Sequence, residues 1–179
     1  MKKKIIIVIL IIILITIVGW GIIKYYQYKK YKDCYWEDLC RIHNAARKIE
    51  LQYASLEAAY LPLDIAAERE GLFEYDHLDV AVEDGRPVGF CAYTDEEIAW
   101  LYVLPERMRQ GIGRQLVENA LAVEPGLCWV ETLYGNEPAK RLYESFGFTV
   151  REIVAGKMPG NEQFAVRVYR MYRDVSKLC

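Results

Sequence analysis

The chain has 179 residues, 53% hydrophobic and 13% aromatic, with 23 Lys+Arg against 25 Asp+Glu and a formal net charge of −2. That length and apolar content suffice for one sizeable core, which excludes a disordered chain and argues against several domains. Five cysteines, an odd number without a Cys-x-x-Cys pair, signal neither a disulfide framework nor a zinc ribbon.

The first element is an apolar run over residues 5–23, 19 residues without a charge. As helix it spans about 28 Å, close to the hydrocarbon thickness of a bilayer. Lys2, Lys3 and Lys4 precede it; Lys24, Lys29, Lys30 and Lys32 follow, interleaved with Tyr25, Tyr26, Tyr28 and Tyr31 in the manner of an interfacial belt. The reading is a transmembrane anchor with a basic, tyrosine-rich linker over 1–32 and a globular domain over 33–179. A cleaved signal peptide is the alternative, with small residues at Gly19 and Gly21, but the run exceeds the roughly 7–15 residues of a signal core. Lysine counts on the two sides differ too little to orient the anchor. Beyond residue 32 there are 16 basic and 25 acidic residues, a net charge of −9. So acidic a domain disfavours nucleic acid and favours cationic substrates such as amines.

Trp36, Leu39, Cys40, His43, Ala46, Ile49 and Tyr53 recur at helical spacing, predicting an amphipathic helix over 35–52. Cys40 and His43, three apart on it, offer two metal ligands, but two histidines in the whole chain are too few to build on, and no metal is expected. After Pro62 a second helix over 64–70 ends at Gly71. Strands follow at 77–83 and 87–93 about an Asp84-Gly85 hairpin turn, then at 97–103. Gly111-Ile112-Gly113 opens a helix whose apolar face is Ile112, Leu116, Val117, Ala120 and Leu121, stopped by Pro125-Gly126. A strand over 127–134 leads to a helix starting at Asn136 that buries Ala139, Leu142, Tyr143 and Phe146 and is ended by Gly147. Strands at 149–154 and 164–172 flank a 156–161 loop. Cys91 and Cys128 fall in apolar strand patterns and read as ordinary buried thiols. This order makes a mixed sheet with helices on both faces.

Strand, Gly-x-Gly, helix is the shape of a phosphate turn, in which the amides from Arg109 through Gln110, Gly111, Ile112 and Gly113 to Arg114 converge on an anion. A dinucleotide fingerprint needs a third glycine, and three residues past Gly113 stands Leu116. A second stretch, Asn136 to Phe148, carries Tyr143 inward on its helix.

Read together, VLPERMRQGIG (from Val103) and NEPAKRLYESFGF (from Asn136) resemble the cofactor motifs of the GCN5-related N-acetyltransferase (GNAT) superfamily. Its second motif, Asn-x-x-Ala-x-x-x-Tyr-x-x-x-Gly-Phe, is matched by Asn136, Ala139, Tyr143, Gly147 and Phe148. Its first, Gln/Arg-x-x-Gly-x-Gly/Ala, is matched except at Met108. The resemblance covers roughly residues 35–173; the apolar anchor is no part of it. It implies a mixed, mostly antiparallel α/β (α+β) sheet of six to seven strands with about four flanking helices. It further implies acetyl-CoA as co-substrate, with pantetheine paired to the strand backbone at Leu101 and Val103, pyrophosphate at the amides of Arg109 to Arg114, and a contact from Asn136 and Ala139.

An amine of pKa near ~10.4 must lose a proton to attack a thioester. By the resemblance Glu97, fourteen residues before Gly111, stands at the spacing of the base in the histone-acetylating branch, and simple alternation puts it on the face of Leu101 and Val103. Tyr143 corresponds to the acid for the departing thiolate; proton transfer from a tyrosine near ~10 to a thiolate near ~8.5 is uphill by roughly 2 kcal/mol, so hydrogen bonding to the thiolate matters more than net transfer. The expected activity is direct acetyl transfer to an amine, small or on a protein, at a membrane and facing the cytoplasm, where acetyl-CoA is made. A catalytically silent acyl-CoA-binding module, favoured by Met108, and transfer of longer acyl chains are the alternatives. Tyr53, Tyr60 and Glu70 are available to an acceptor, whose identity the sequence does not give.

Overall fold

The computed structural model describes residues 27–176. The apolar run at 5–23 lies outside them, as does Cys179; among the described residues no helix is long and apolar enough to cross a membrane. One seven-stranded sheet has the order β1-β2-β3-β4-β5-β7-β6. The strands are β1 (Gln27–Lys30), β2 (His77–Glu83), β3 (Arg86–Tyr93), β4 (Glu97–Val103), β5 (Trp129–Leu133), β6 (Thr149–Lys157) and β7 (Ala165–Tyr172). All neighbours are antiparallel except β4 and β5. Among the described residues four α-helices flank the sheet: α1 (Trp36–Ala54), α2 (Leu63–Arg69), α3 (Ile112–Val123) and α4 (Glu137–Glu144). The mixed sheet and its helices match the expected class.

Strand alternation divides the core. Val80, Val82, Phe90, Ala92 and Trp100 pack with Leu39 and Ile42 of α1 and Leu63 of α2. Ala81, Cys91 and Tyr93 pack on the other face with Ile112, Leu116 and Val117 of α3. Each fully buried side chain of this size contributes about 1.5–3 kcal/mol by leaving water. Cys91 is a buried thiol, whereas Cys128, just ahead of β5, is only partly covered.

The tail read as a linker is in part an edge strand. β1 pairs with β2 from Gln27↔Val82 to Lys30↔Asp79, so the sheet begins before residue 33. The chemistry that holds it is Asp79, 4% exposed. Its carboxylate accepts from Tyr93 Oη at 2.6 Å and Asn119 Nδ2 at 2.9 Å and pairs with Lys30 Nζ at 3.1 Å. Lys30, read from sequence as a membrane flank, thus compensates a buried charge that would otherwise be costly. Tyr28, from the same belt, donates from Oη to Gln115 Oε1 of α3 at 2.5 Å.

β6 runs on to Lys157, so Gly156 lies in a strand and the β6–β7 connection covers 158–164. Asn161 fastens this connection by donating from Nδ2 to Ala59 O between α1 and α2, at 3.1 Å. At the far end of α1, Gly135 adopts φ +98°, and a Cβ there would stand 2.4 Å from Tyr53 O. Only glycine satisfies both the left-handed backbone and this contact; the contact sets where α4 begins.

Candidate active site

The two parallel strands pair only at Glu97↔Trp129 and Ile98↔Val130. β5 continues through three further pairs with β7, to Leu133↔Val168, while β4 leaves it to follow β3. The sheet therefore opens into a wedge. Leu104 N–H donates to Val88 O of β3 at 2.8 Å, and since peptide groups alternate along a strand, those of Leu101 and Val103 point to the other side, into the gap. Among the described residues they have no partner strand there, and such edge groups suit an extended amide-bearing chain.

β4 also carries a bulge. Cys91 faces Leu101, Ala92 faces Trp100, but Tyr93 faces Ile98, so Ala99 is extra. The bulge reverses the phase of everything before it. Ile98 shares a core with Leu101 and Val103, whereas Glu97 turns to the opposite face, where its charge is felt by Tyr75. The alternation that placed Glu97 beside Leu101 and Val103 fails for this reason, and Glu97 does not line the cleft. Burial, then Glu131 and Glu96, push its carboxyl above the ordinary carboxylate value.

At the wide end of the wedge lies the glycine turn. Arg109 (φ +63°) and Gly111 (φ +88°) both take the left-handed conformation, which curls the chain so that successive amides face one side. Gln115 N–H to Gly111 O, 3.0 Å, is the first bond into α3; the amides of 109–114 ahead of it have no backbone partner among the described residues, as at any helix start, and carry the positive end of the helix dipole. Arg114 reaches across to Ser145 Oγ at 2.8 Å and lies over the Phe146 ring. Met108 lines the same end without supplying a charge.

α4 forms the opposite wall. Asn136 is its N-cap, accepting from Ala139 N–H at 3.3 Å, and is 8% exposed. Of the four residues expected inside, Tyr143 is buried while Ala139, Leu142 and Phe146 are half covered, because the helix faces a cleft as well as a core. Tyr143 packs edge-on against Phe148, ring centroids 6.0 Å apart. It is 5% exposed, and its hydroxyl has no hydrogen-bond partner among the described residues. Burial holds this phenol well above the ordinary tyrosine pKa.

These walls enclose a cleft of about 570 Å³ that brings together Leu101, Val103, Arg109, Gly111, Gly113, Arg114, Asn136, Ala139 and Tyr143. Gln110 and Ile112 belong to the turn but do not line it; Gln110 donates to Glu106 O at 3.1 Å and Ile112 is buried under α3. Ala46, Ile49, Glu50 and Tyr53 of α1 and Tyr102 of β4 complete the cleft as its floor; of these the sequence offered Tyr53 to an acceptor and missed Glu50 and Tyr102. Glu50 accepts from Arg47 Nη1 at 2.7 Å and from Tyr102 Oη at 3.0 Å. The signal was a carboxylate breaking the helical stripe between Ala46 and Tyr53.

His43, by contrast, is 1% exposed and sits against Trp100 and Tyr102. Burial lowers its pKa to about 4. No group of three or more metal-ligating side chains occurs among the described residues.

An open strand edge, free amides at a helix start and a buried phenol without a partner fit, in order, an amide-bearing arm, a pyrophosphate and a sulfur. Known proteins resemble this chain in sequence and fold. The acetyltransferase (GNAT) domain model matches residues 74–150, which include both motifs. Over 72 residues the chain is 42% identical to the peptidyl-lysine N-acetyltransferase YjaB of Salmonella typhimurium, covering 40% of this chain and 49% of that protein. The match thus spans about half the length of that relative. Among solved structures, a GCN5-related N-acetyltransferase from Rhodopseudomonas palustris superposes with a TM-score of 0.64 at 18% identity, covering 83% of this chain and 95% of the other. Apo YjaB from Escherichia coli gives 0.58 at 23%, over 83% and 97%. YncA of Salmonella typhimurium, a structure with its cofactor acetyl-CoA, gives 0.60 at 18%, over 85% and 95%. At these identities the likeness is one of fold, and the fold is that of the GNAT acetyltransferases.

Proposed function

We propose that this chain is an N-acetyltransferase that moves the acetyl group of acetyl-CoA to a primary amine by direct attack. The observation that carries the reading is Tyr143, a buried phenol with no hydrogen-bond partner among the described residues, in a cleft whose other end is the turn at the start of α3. Leu101 and Val103 pair with the pantetheine amides, the amides of residues 109–114 hold the pyrophosphate, and Asn136 fixes the α4 end of the cleft. Tyr143 donates a hydrogen bond to the sulfur as the C–S bond breaks. Because burial raises its pKa, the phenol keeps its proton through most of that step and acts by stabilising the developing thiolate.

The name of the Salmonella relative supports a lysine side chain as acceptor, and the −9 charge beyond residue 32 suits a cationic one. Residues 5–23 would hold the enzyme at a membrane, with the domain on the cytoplasmic side where its donor is made. Glu97 as the base is the weaker assignment, since it does not line the cleft.

The test is release of free thiol from acetyl-CoA by the full-length chain, with a lysine-containing peptide as acceptor. Tyr143→Phe should lower kcat by about 10²-fold and leave acetyl-CoA affinity within about threefold. A Tyr143→Phe protein as active as the parent removes the acid assignment. Acetyl-CoA binding without thiol release for any amine leaves a silent binding module, the reading that the uncharged Met108 favours.

A further inference from the structure

Beneath the cleft lies a compact group of charges that the transfer step above does not use. Arg47 and Glu50, one turn apart on α1, form an ion pair at 2.7 Å with side chains only 13% and 18% exposed. Arg47 also donates from Nη2 to Met158 Sδ at 3.2 Å, and from Nη1 to Tyr102 Oη at 3.4 Å. Glu70, just past α2, is the third member: its carboxyl interacts with Arg47, Glu50 and Glu162, and no hydrogen bond or ion pair of its own occurs among the described residues. It is packed under the β6–β7 connection, where a Cβ on Gly160 would stand 2.9 Å from Glu70 Cγ.

With both carboxylates ionised this group is one negative charge in excess of Arg47. Among the described residues around it, His43 is neutral at pH 7, Arg69, which donates to Gly160 O, is offset by Glu162, which accepts from Gly160 N and acts on Glu70, and Glu68, Glu74 and Tyr75 line a recess with Glu70. A half-buried excess charge is unfavourable unless a cation joins it or a proton neutralises it. Glu50 is the member that reaches the cleft, in the same cavity wall system as Tyr143, whose phenol feels the Glu50 charge.

Resting on the acetyltransferase reading, we propose that Glu50 receives the acceptor as a cationic primary ammonium and that the Glu50/Glu70 pair takes up its proton, with Arg47 and Tyr102 as positioning residues. The ammonium supplies the charge the group lacks. One proton passes from R–NH3⁺ to the carboxylate pair; the freed lone pair forms the N–C bond; the C–S bond breaks; and the second N–H proton leaves to the thiolate beside Tyr143. The products are the amide, the free thiol and one proton held on the pair, which returns to solvent. Burial raises the Glu70 carboxyl to about 7, where a base is about half free at neutral pH and strong enough to take the proton.

The experiment uses full-length protein, acetyl-CoA and a lysine-amide acceptor, reading kcat/KM against pH together with acetyl-CoA affinity. Glu50→Gln should lose about 30-fold or more in kcat/KM, Glu50→Asp should recover part of it, and acetyl-CoA affinity should stay within about threefold for both. The parent profile should rise with pH through an ionisation near 7, and Glu70→Gln should remove that ionisation. Glu50→Gln within threefold of the parent, or a Glu70→Gln profile superimposable on the parent profile, overturns the proposal. If Glu50→Gln loses acetyl-CoA binding because Arg47 is left unpaired, the Glu70→Gln profile decides, since that variant leaves the ion pair intact. A parent that releases no thiol at all instead defeats the acetyltransferase reading itself.

Discussion

Single residues here show how burial turns ordinary side chains into tuned ones. Tyr143 suits its proposed role by losing water without gaining a partner among the described residues, a condition that is rare for a buried hydroxyl and unfavourable unless a ligand completes it. Glu70 leaves a trace in stability as well as in chemistry. Its folded pKa, about 7, lies above the ordinary value of 4.5, so between those limits the native state binds more protons than the unfolded one. Its contribution therefore falls as pH rises from about 4.5 to 7. Denaturant unfolding of Glu70→Gln and parent should show the variant gaining on the parent over that interval, by about 1–3 kcal/mol in total. Parallel stability curves from pH 5 to 7.5 would mean that Glu70 is not held protonated by its surroundings.

At the scale of elements, the wedge depends on how α1 and α4 meet. Gly135 closes that contact, with φ +98° and no room for a Cβ against Tyr53 O. Gly135→Ala should destabilise the domain by about 2–4 kcal/mol, from left-handed strain plus a backbone shift, and should weaken acetyl-CoA binding by displacing the Asn136 cap. An unchanged melting temperature would contradict the packing described. Much of the fold was legible because its signals are local. The strands His77–Glu83 and Glu97–Val103 fall where alternation and turn residues put them, and Asn136, Gly111 and Gly147 mark helix ends by backbone chemistry alone. Two features were not. Gln27–Lys30 has no alternating pattern and becomes a strand through partners some fifty residues or more along the chain, the backbone of β2, Asp79 against Lys30 and Gln115 against Tyr28. The bulge at Ala99 sits inside a continuous apolar run, Ile98 to Val103, where one extra residue changes no composition but reverses the face of Glu97. Glu50 escaped notice for a related reason: its partners Arg47 and Tyr102 meet it only through tertiary packing.

For the whole molecule, the sheet is a device for parting two parallel strands. Antiparallel pairing on both outer flanks fixes β4 and β5 while their own pairing stops after two residue pairs, so the opening is built into the topology rather than into a mobile loop. In the proposed function the donor enters between them, with its phosphates at the α3 start and its sulfur at Tyr143, and the acceptor meets it from the α1 side, over Glu50. This division makes the central claim one of place, and amide hydrogen exchange of the full-length chain with and without acetyl-CoA tests it most directly. Acetyl-CoA should slow exchange in the segments 101–103, 109–114 and 136–143, while the β1–β2 edge remains unaffected. Binding without protection of the 109–114 turn, or protection centred elsewhere, would contradict the site described.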